Sequence, residues 1–291
     1  MSKILVTGAT GQLGAAVVKE LLGKTDAGNV SVLVRDLAKA ESLTTAGVNV
    51  ILGNYNDESS LIAAFQGVDK LYFVSSSEIE HRYAQHEIVV KAAVEAGIGH
   101  ILYTSAQRKS EDGTSPIAMV ADAHWKTDNL IKESGLTYTI LKHGLYSDIL
   151  PMFIGGEVLQ NNMIFLPAGE GKSAYASRND MGTAGAILLT TEGHENKVYE
   201  LGGVEAYSFQ DIAGMLSELS GKAIQYISPA AEAYADQLRS LGVGEQMIQG
   251  ASTFCVAIAQ GEFDFPSNDL KKILGREPQS VKDFLKAAYQ L

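Results

Sequence analysis

Three glycines near the start of the chain have the spacing that a phosphate-binding turn needs. They are Gly8, Gly11 and Gly14, and they follow an apolar run at residues 3–7 that is typical of a buried parallel strand. Glycines let a backbone approach the phosphates of a dinucleotide, and the free N–H groups at a helix N-terminus attract those phosphates. We therefore predict that this turn binds a dinucleotide pyrophosphate. The alternative, a strand-to-helix turn without ligand, leaves the number of glycines unexplained.

A basic residue indicates which dinucleotide is bound. Arg35 ends the second apolar run, about twenty residues after the glycine turn. An acidic residue at this point would bind the ribose hydroxyls of NAD, whereas an arginine pairs with the 2′-phosphate of NADP. Asp36 is a contrary signal, although it could instead cap a helix that begins near residue 37. We predict NADPH as the cofactor; a solvated surface arginine is the alternative.

Polar residues follow two further apolar runs. Asn54 comes after the third run, where its amide could reach the adenine edge or serve a simple turn. Ser75, Ser76 and Ser77 follow the fourth run, and we expect them to line the path to the nicotinamide or to cap a helix. The contacts predicted within the turn, partly through backbone N–H groups, are Thr10, Gln12 and Leu13.

A regular alternation of strands and helices would position these residues. The predicted strands are 3–7, 30–34, 48–52, 70–74, 100–104 and 137–141. The predicted helices between them are 12–22, 38–46, 58–66, 83–96 and 117–134. This order is typical of an α/β fold with a Rossmann-type, doubly wound parallel sheet, in which ligands bind beyond the carboxyl ends of the strands.

The regular alternation of strands and helices ends after about residue 145. Helical patterns cover 146–160, 181–191, 208–220, 230–241, 244–260 and 281–289, with short strands near 163–166, 197–201 and 224–227. We predict a cofactor domain over residues 1–145 and a smaller α/β lobe over 146–291. The lobe would close a substrate cleft at the carboxyl edge of the sheet and would not be an independent domain.

Composition excludes several classes of partner. The net charge of −11 argues against a nucleic acid or an anionic membrane, because both require a basic surface. Cys255 is the only cysteine, so an internal disulfide and a cysteine-based zinc site are excluded, and no metal is predicted. The sequence shows no signal peptide and no apolar run long enough to span a bilayer. We expect a soluble, cytoplasmic protein.

Several motifs together resemble one known family. They are TGATGQLG (7–14), VLVRD (32–36), SSS (75–77), YTSAQ (103–107), ADAHWKTD (121–128), YTILKHGLYSD (138–148), EGHENKVYEL (192–201) and LSELSGKAIQY (216–226). They look like the NmrA-like group of atypical short-chain dehydrogenases, and within it like the bacterial NADPH-dependent quinone and triphenylmethane reductases. The likeness runs over nearly the whole chain.

The resemblance implies an NADPH-binding domain, a small lobe over it, and hydride transfer to a quinone or similar conjugated electrophile such as a triphenylmethane dye. The cofactor contacts that it implies are Thr7, Gly8, Ala9, Thr10, Gly11, Gln12, Arg35, Ser75, Ser76, Ser77, Leu141, Lys142, His143 and Gly144. Three positions depart from the relatives. Lys142 and His143 stand where arginine and asparagine are more usual, which makes the substrate less certain, and Asn54 replaces a common aspartate.

The usual catalytic pair of short-chain dehydrogenases is a tyrosine and a lysine four residues apart on a helix. Tyr138 and Lys142 have this spacing, but they lie in a predicted strand, where the two residues would be about 13 Å apart. The helix expected to carry the pair, 117–134, contains no tyrosine and has His124 and Asp128 four residues apart. We therefore predict that the usual proton-donating phenol is missing, as in other members of this group.

A quinone accepts a hydride readily, so its reduction depends more on positioning than on acid catalysis. The candidates to hydrogen-bond the developing oxyanion are His124 first, then His143, Tyr146 and Ser105. The candidate apolar walls, for which ordinary core packing is the alternative, are Tyr146, Met152, Phe153 and Trp125.

Two other functions are compatible with parts of the sequence. Some NmrA-like proteins are redox sensors that bind NADP(H) without turnover and act through a protein partner, and the missing tyrosine fits that role as well. Sugar-nucleotide modification would need the tyrosine–lysine pair and a larger second lobe. The partner we predict is a small quinone-like molecule, and the chain would act as a monomer or a homodimer.

Overall fold

A seven-stranded, wholly parallel sheet forms the centre of the molecule, in a computed structural model that describes residues 2–291. The strands of the chain are β1 Ile4–Thr7, β2 Val30–Val34, β3 Asn49–Leu52, β4 Lys70–Phe73, β5 His100–Ala106, β6 Thr137–His143, β7 Met163–Phe165, β8 Lys172–Ser173, β9 Lys197–Leu201, β10 Tyr207–Ser208 and β11 Gln225–Ile227. The order in the central sheet is β3-β2-β1-β4-β5-β6-β9. The predicted Rossmann-type α/β sheet is confirmed.

Thirteen α-helices occur within residues 2–291, and some of them cover the two faces of this sheet. They are α1 Gln12–Leu21, α2 Glu41–Thr45, α3 Glu58–Phe65, α4 Arg82–Glu95, α5 Ala118–Glu133, α6 Leu150–Ile154, α7 Val158–Asn161, α8 Arg178–Thr190, α9 Phe209–Ser220, α10 Ala231–Ser240, α11 Glu245–Ala259, α12 Asp269–Leu274 and α13 Val281–Ala288. Short 3₁₀ turns lie at Ala27–Asn29, Leu37–Ala40 and Ser147–Ile149.

Most side chains of the inner strands are buried on both faces, which explains why these strands are continuous apolar runs, whereas the edge strands β3 and β9 are partly exposed. Val6 and Leu102 point into one core layer, which α1 and α8 complete. Leu5, Phe73 and Ile101 point into the other, which α3, α4 and α5 complete. The alternation of successive residues between two layers follows from the period of two along a strand.

Two elements that follow the predicted boundary at residue 145 complete the first domain. Strand β9 pairs in parallel with β6 and forms one edge of the central sheet. Helix α8 packs directly on α1. Residues 178–201 therefore return to the sheet. The division of the chain into two parts stays a prediction, but these residues lie with the first part in space.

The remaining C-terminal elements share a separate apolar core, built from helices that include α6, α9 and α11. Two small sheets support it, with β7 parallel to β11 and β8 antiparallel to β10. Cys255 is buried in this core as a free thiol. No helix within residues 2–291 combines the length and the apolar character needed to cross a bilayer.

The sequence interpretation was wrong in some local details. The single helix expected at 146–160 is broken into a 3₁₀ turn, α6 and α7, because Pro151 starts a new helix and Gly155, with φ of +83°, ends it. The helix expected at 38–46 begins as a 3₁₀ turn before α2. The short strands β8 and β10 and the helix α12 were not predicted, since two residues of strand carry no periodic signal.

The close contact between α1 and α8 predicts that one added methyl group lowers the stability of the protein. A Cβ at Gly182 would lie 2.6 Å from the Cβ of Ala16, so the Gly182→Ala variant must push the two helices apart. We expect the free energy of unfolding, measured by urea denaturation, to fall by about 1 to 3 kcal/mol. The matched control is Gly214→Ala in α9, where nothing lies within 4 Å and no loss is expected. Equal stabilities of the two variants would contradict the close packing.

Candidate functional site

A cavity of about 860 Å³ lies at the carboxyl ends of β1, β2, β3 and β4. The strand order reverses here, because the chain builds outward from β1 to β2 and β3 and then crosses to β4 on the other side. Ligands of doubly wound sheets bind at such a reversal. The wall includes Gly8, Thr10 and Gly11 from the glycine turn. The structure therefore brings the predicted phosphate turn to the mouth of a cavity large enough for a nucleotide.

The glycine turn leaves its backbone open to an anion, because its glycines have no side chains. Gly8 has φ of +62° and lies against Val74, where an added Cβ would meet the Val74 Cβ at 3.1 Å. An added Cβ at Gly14 would collide with the carbonyl oxygen of Gly8, so only glycine lets α1 start this close to β1. No side chain caps the N-terminus of α1, and no acidic residue lies in its first turn. Its free N–H groups are available to a phosphate.

Two cations line the same cavity after β2. Arg35 is 71% exposed and forms a 3.2 Å ion pair with Glu78, a weak pairing that a stronger anion can displace. Asp36 caps the following 3₁₀ turn by accepting a hydrogen bond from the N–H of Ala38, so it does not compete for the ribose hydroxyls through that oxygen. Lys39 is the second cation, which the sequence reasoning missed. Its place in the segment directly after β2, close to Arg35 in the chain, was the available signal.

Asn54 and the three serines line the cavity beyond β3 and β4. The side-chain oxygen of Asn54 accepts a 2.7 Å hydrogen bond from the N–H of Asn56, so Asn54 also stabilises the local turn. The N–H of Ser75 donates to Thr104 on β5, and the hydroxyl of Ser76 bonds Gln85 on α4. The segment after β4 is thus fixed by its neighbours before any ligand binds.

Other predicted contacts lie outside the cavity wall. Thr7 is buried, and its hydroxyl oxygen accepts hydrogen bonds from the Tyr55 hydroxyl at 2.5 Å and the Val74 N–H at 2.9 Å. Leu13 and Leu141 are core residues, as is Ala9. Gln12 is exposed on the first turn of α1. Tyr55, Gln85 and Asp57, which the sequence reasoning did not select, do line the cavity.

A second polar group lies at the carboxyl end of β6. The His143 ring nitrogen Nδ1 is 3.1 Å from the Tyr146 hydroxyl, and the Arg178 guanidinium lies 4.0 Å from the centre of the Tyr146 ring. Burial lowers the pKa of His143 to about 3, so the ring is neutral, and burial raises the pKa of Tyr146 to about 12. His143 Nε2 is buried and has no hydrogen-bond partner within residues 2–291. The hydrogen-bonding capacity of this ring nitrogen is therefore unused in the structure.

Lys142 and Gly144, the neighbours of His143 in the chain, do not belong to this polar group. Lys142 points to the opposite side of β6 and pairs with Glu200 on β9 at 3.5 Å. The N–H of Gly144 donates to the carbonyl oxygen of Leu201, and an added Cβ there would lie 2.6 Å from Gln107 Oε1. Tyr138 and Lys142 both lie on β6, as expected of residues in a strand. They are therefore not on one helical face.

His124 lies on α5 in a buried polar layer. Its Nδ1 is 2.8 Å from the Tyr103 hydroxyl, and the residue is only 6% exposed. Burial, reinforced by the charge of Arg82, lowers its pKa well below the ordinary value, so the imidazole is neutral. One turn later, Asp128 forms a 2.7 Å ion pair with Arg108, and both side chains are buried. Arg108, another residue that the sequence reasoning missed, directly follows the YTSAQ motif.

Arg108, in the loop after β5, also contacts the carboxyl end of that strand. Its guanidinium donates to the hydroxyl oxygen of Ser105 at 3.3 Å and to the carbonyl oxygen of Ala106 at 3.1 Å. The second oxygen of Asp128 has no partner within the described residues, and burial raises the pKa of this carboxyl despite the arginine beside it. Arg108 contacts both Asp128 on α5 and Ser105 on β5, so the buried ion pair fixes the position of α5 relative to Ser105.

The candidate apolar walls differ in their burial. Phe153 is buried in the core of the lobe, with its ring 6.3 Å from that of Phe209. Met152 is exposed and Trp125 is half-buried. No group of three or more histidine, cysteine, aspartate or glutamate side chains suited to a metal ion occurs within residues 2–291.

Comparisons with known proteins agree with this architecture. The model of the NmrA-like family matches residues 1–284. The chain is 36% identical over 280 residues to quinone oxidoreductase 2 of Escherichia coli, with 96% of each chain covered. It is 27% identical over 286 residues to an NAD(P)H azoreductase of Xenophilus azovorans, with 98% of this chain and 97% of the relative covered. The structure of Citrobacter sp. triphenylmethane reductase complexed with NADP(H) is similar at a TM-score of 0.91, with 35% identity over 98% of this chain and 99% of that one.

The buried ion pair predicts a large loss of stability when its cation is removed. The Arg108→Ala variant leaves the Asp128 carboxylate enclosed without its counter-charge, and we expect the free energy of unfolding in urea to fall by about 3 to 5 kcal/mol. Adding Asp128→Asn should recover part of this loss. The control is Arg239→Ala, which removes an exposed arginine from three exposed carboxylates and should leave the unfolding midpoint nearly unchanged. Similar midpoints for Arg108→Ala and the wild type would contradict the assignment.

Proposed function

The chain belongs to the NmrA-like family, and on that premise we propose that it is an NADPH-dependent reductase that transfers a hydride to a quinone or a similar conjugated electrophile. The observation that supports this function most strongly is the cavity, where the glycine turn and the cations Arg35 and Lys39 face one space. A pyrophosphate and a 2′-phosphate are the anions that such a pair of sites accommodates.

We infer that each part of the cavity binds one part of the cofactor. The N–H groups at the start of α1 would hold the pyrophosphate, and Arg35 with Lys39 would hold the 2′-phosphate. Asn54 would meet the adenine, and Ser75 to Ser77 would line the path towards the ends of β5 and β6. When bound, NADPH supplies the hydride.

The chain's own residues would orient the acceptor and stabilise the charge that develops on its oxygen. His124 and His143 are both neutral, so they act as hydrogen-bonding groups and not as charged acids. A quinone needs little more than this, because its reduced oxyanion is stabilised by the aromatic ring. We infer that the reaction proceeds without a tyrosine–lysine pair, since α5 offers His124 and Asp128 at that spacing and Asp128 is already paired.

The relatives support a broader acceptor range than quinones alone. Two of them are named as an azoreductase and a triphenylmethane reductase, and azo compounds, these dyes and quinones are all conjugated electrophiles. We propose that triphenylmethane dyes are alternative acceptors. We further expect a cytoplasmic monomer or homodimer. Because the net charge is −11, we do not expect it to bind nucleic acid.

The function is tested by following NADPH absorbance with a panel of small quinones, an azo dye and a triphenylmethane dye. We expect consumption of NADPH with at least one quinone and a lower rate with NADH. The control omits the acceptor, because slow oxidation by air must be subtracted. Tight binding of NADPH without consumption by any acceptor would favour a redox sensor that acts through a protein partner.

The cofactor preference is tested by removing Arg35. The Arg35→Ala variant should raise the KM for NADPH about tenfold to a hundredfold, because a charge-assisted contact to the 2′-phosphate is lost, and should leave the KM for NADH nearly unchanged. Lys286→Ala, which removes an exposed cation from α13, is the matched control and should change neither. An equal rise for both cofactors would mean that Arg35 does not read the 2′-phosphate.

A further inference from the structure

A continuous set of hydrogen bonds runs through the buried layer between the sheet and helices α4 and α5. Its members are the backbone N–H of Ser76, the rings of His86 and His124, and the hydroxyls of Tyr103 and Thr127. The two imidazole rings and the Tyr103 ring lie edge-on or tilted against one another, with centroids 5.5 to 6.5 Å apart. Because these groups are enclosed, each proton in the set must have a definite donor and acceptor.

The tautomer of His86 is fixed at one end of the set. Its Nε2 lies 3.0 Å from the N–H of Ser76, which can only donate, so Nε2 accepts. Burial lowers the pKa of His86 to about 3, so the ring is neutral and its single proton is on Nδ1. That Nδ1–H faces the Thr127 hydroxyl oxygen at 2.8 Å, and Thr127 donates its own proton to the carbonyl oxygen of Ala123 at 2.7 Å. His86 therefore cannot accept a proton from Tyr103.

The nearer acceptor for the proton of Tyr103 is consequently the ring of His124. The Tyr103 hydroxyl is 3.3 Å from His86 Nδ1, which carries a proton, and 2.8 Å from His124 Nδ1. Burial raises the pKa of Tyr103 well above its ordinary value, so the phenol keeps its proton and donates it. His124 Nδ1 thus accepts, and the single proton of the neutral His124 ring is on Nε2.

The Nε2 atom of His124 points away from this enclosed set. No hydrogen bond within residues 2–291 involves this atom, and it is not fully enclosed, so an incoming group can reach it. Its small exposed fraction, 6% of the residue, means that the rest of the ring is held by packing. A neutral N–H donor is therefore presented at one fixed position and in one fixed direction.

We propose that Tyr103 and His86 are positioning residues that lock His124 in the Nε2–H tautomer, so that His124 hydrogen-bonds the carbonyl oxygen of the electrophile. This inference rests on the proposed function. As the hydride adds to the conjugated ring, the carbonyl π electrons move to oxygen, and the Nε2–H donor stabilises the resulting oxyanion. Solvent then protonates this oxygen. The ring carbon that received the hydride loses its hydrogen to solvent as a proton, and the second carbonyl oxygen gains a proton, which completes the hydroquinone while His124 stays neutral throughout.

The Tyr103→Phe variant tests this positioning. It removes one hydroxyl and leaves His124 in place, so the ring loses the donor that holds Nδ1 unprotonated. We expect kcat with a quinone to fall about tenfold or more, with the dissociation constant for NADPH within twofold of the wild type. Tyr72→Phe is the matched control, because Tyr72 is a buried tyrosine on β4 whose hydroxyl has no hydrogen-bond partner among the described residues. It should retain the wild-type kcat.

A double-mutant cycle separates positioning from a general loss of structure. His124→Ala should lower kcat about a hundredfold, and adding Tyr103→Phe should cause no further loss, because Tyr103 acts only through His124. Additive losses, or a kcat for Tyr103→Phe within twofold of the wild type, would overturn the proposal.

The tautomer itself is measured by ¹⁵N–¹H spectra of the ¹⁵N-histidine-labelled protein, with His124 assigned from the His124→Gln variant. We expect a protonated Nε2 and an unprotonated Nδ1 for His124 in the wild type, and a mixture of tautomers in Tyr103→Phe. A protonated Nδ1 in the wild type would overturn the proposal. This readout needs no turnover, so it still decides the tautomer if no quinone is reduced, an outcome that would count against the proposed function alone.

Discussion

The close approach of Gly14 to the carbonyl oxygen of Gly8 is the constraint on which the proposed cofactor site depends. Helix α1 begins so close to the end of β1 that no side chain fits between them. The N-cap residue of α1 is Gly11, which has no side chain, so the N–H groups of the first turn stay uncapped beside the cavity. Tight packing of α1 against α8 at Gly182 supports the helix from behind. The site is thus shaped by backbone atoms, and the side chains at its rim add selectivity.

Burial controls the chemical state of the polar groups further along the sheet. Enclosure lowers the pKa values of His86, His124 and His143, so each ring is a neutral hydrogen-bonding group with one definite proton. The same enclosure makes a lone charge costly, and Asp128 accordingly pairs with Arg108. Helix α5 therefore differs from one bearing a tyrosine and a lysine. It carries a neutral imidazole and a paired carboxylate, which is compatible with the proposed acceptor, a compound that draws electrons strongly.

The C-terminal half has two roles in this architecture. Residues 178–201 return to the central sheet, where α8 buries α1 and β9 protects the edge of β6. The other elements form a separate apolar core. Because Arg178 begins α8 and lies against Tyr146, the returning helix also fixes the polar group at the end of β6.

The sequence by itself determined the alternation of strands and helices, the glycine turn and the cation after β2, because these depend on local periodicity and on residues close together in the chain. It also indicated that Asp36 could cap a helix and that Tyr138 and Lys142 lie in a strand. Only the tertiary structure decided that β9 joins the sheet, that Lys39 and Gln85 line the cavity, and that Arg108 meets Asp128. The proton positions in the His86, Tyr103 and His124 set were equally beyond the sequence. They follow from which distant groups are enclosed together, and neither burial nor hydrogen-bond partners can be read from residue spacing.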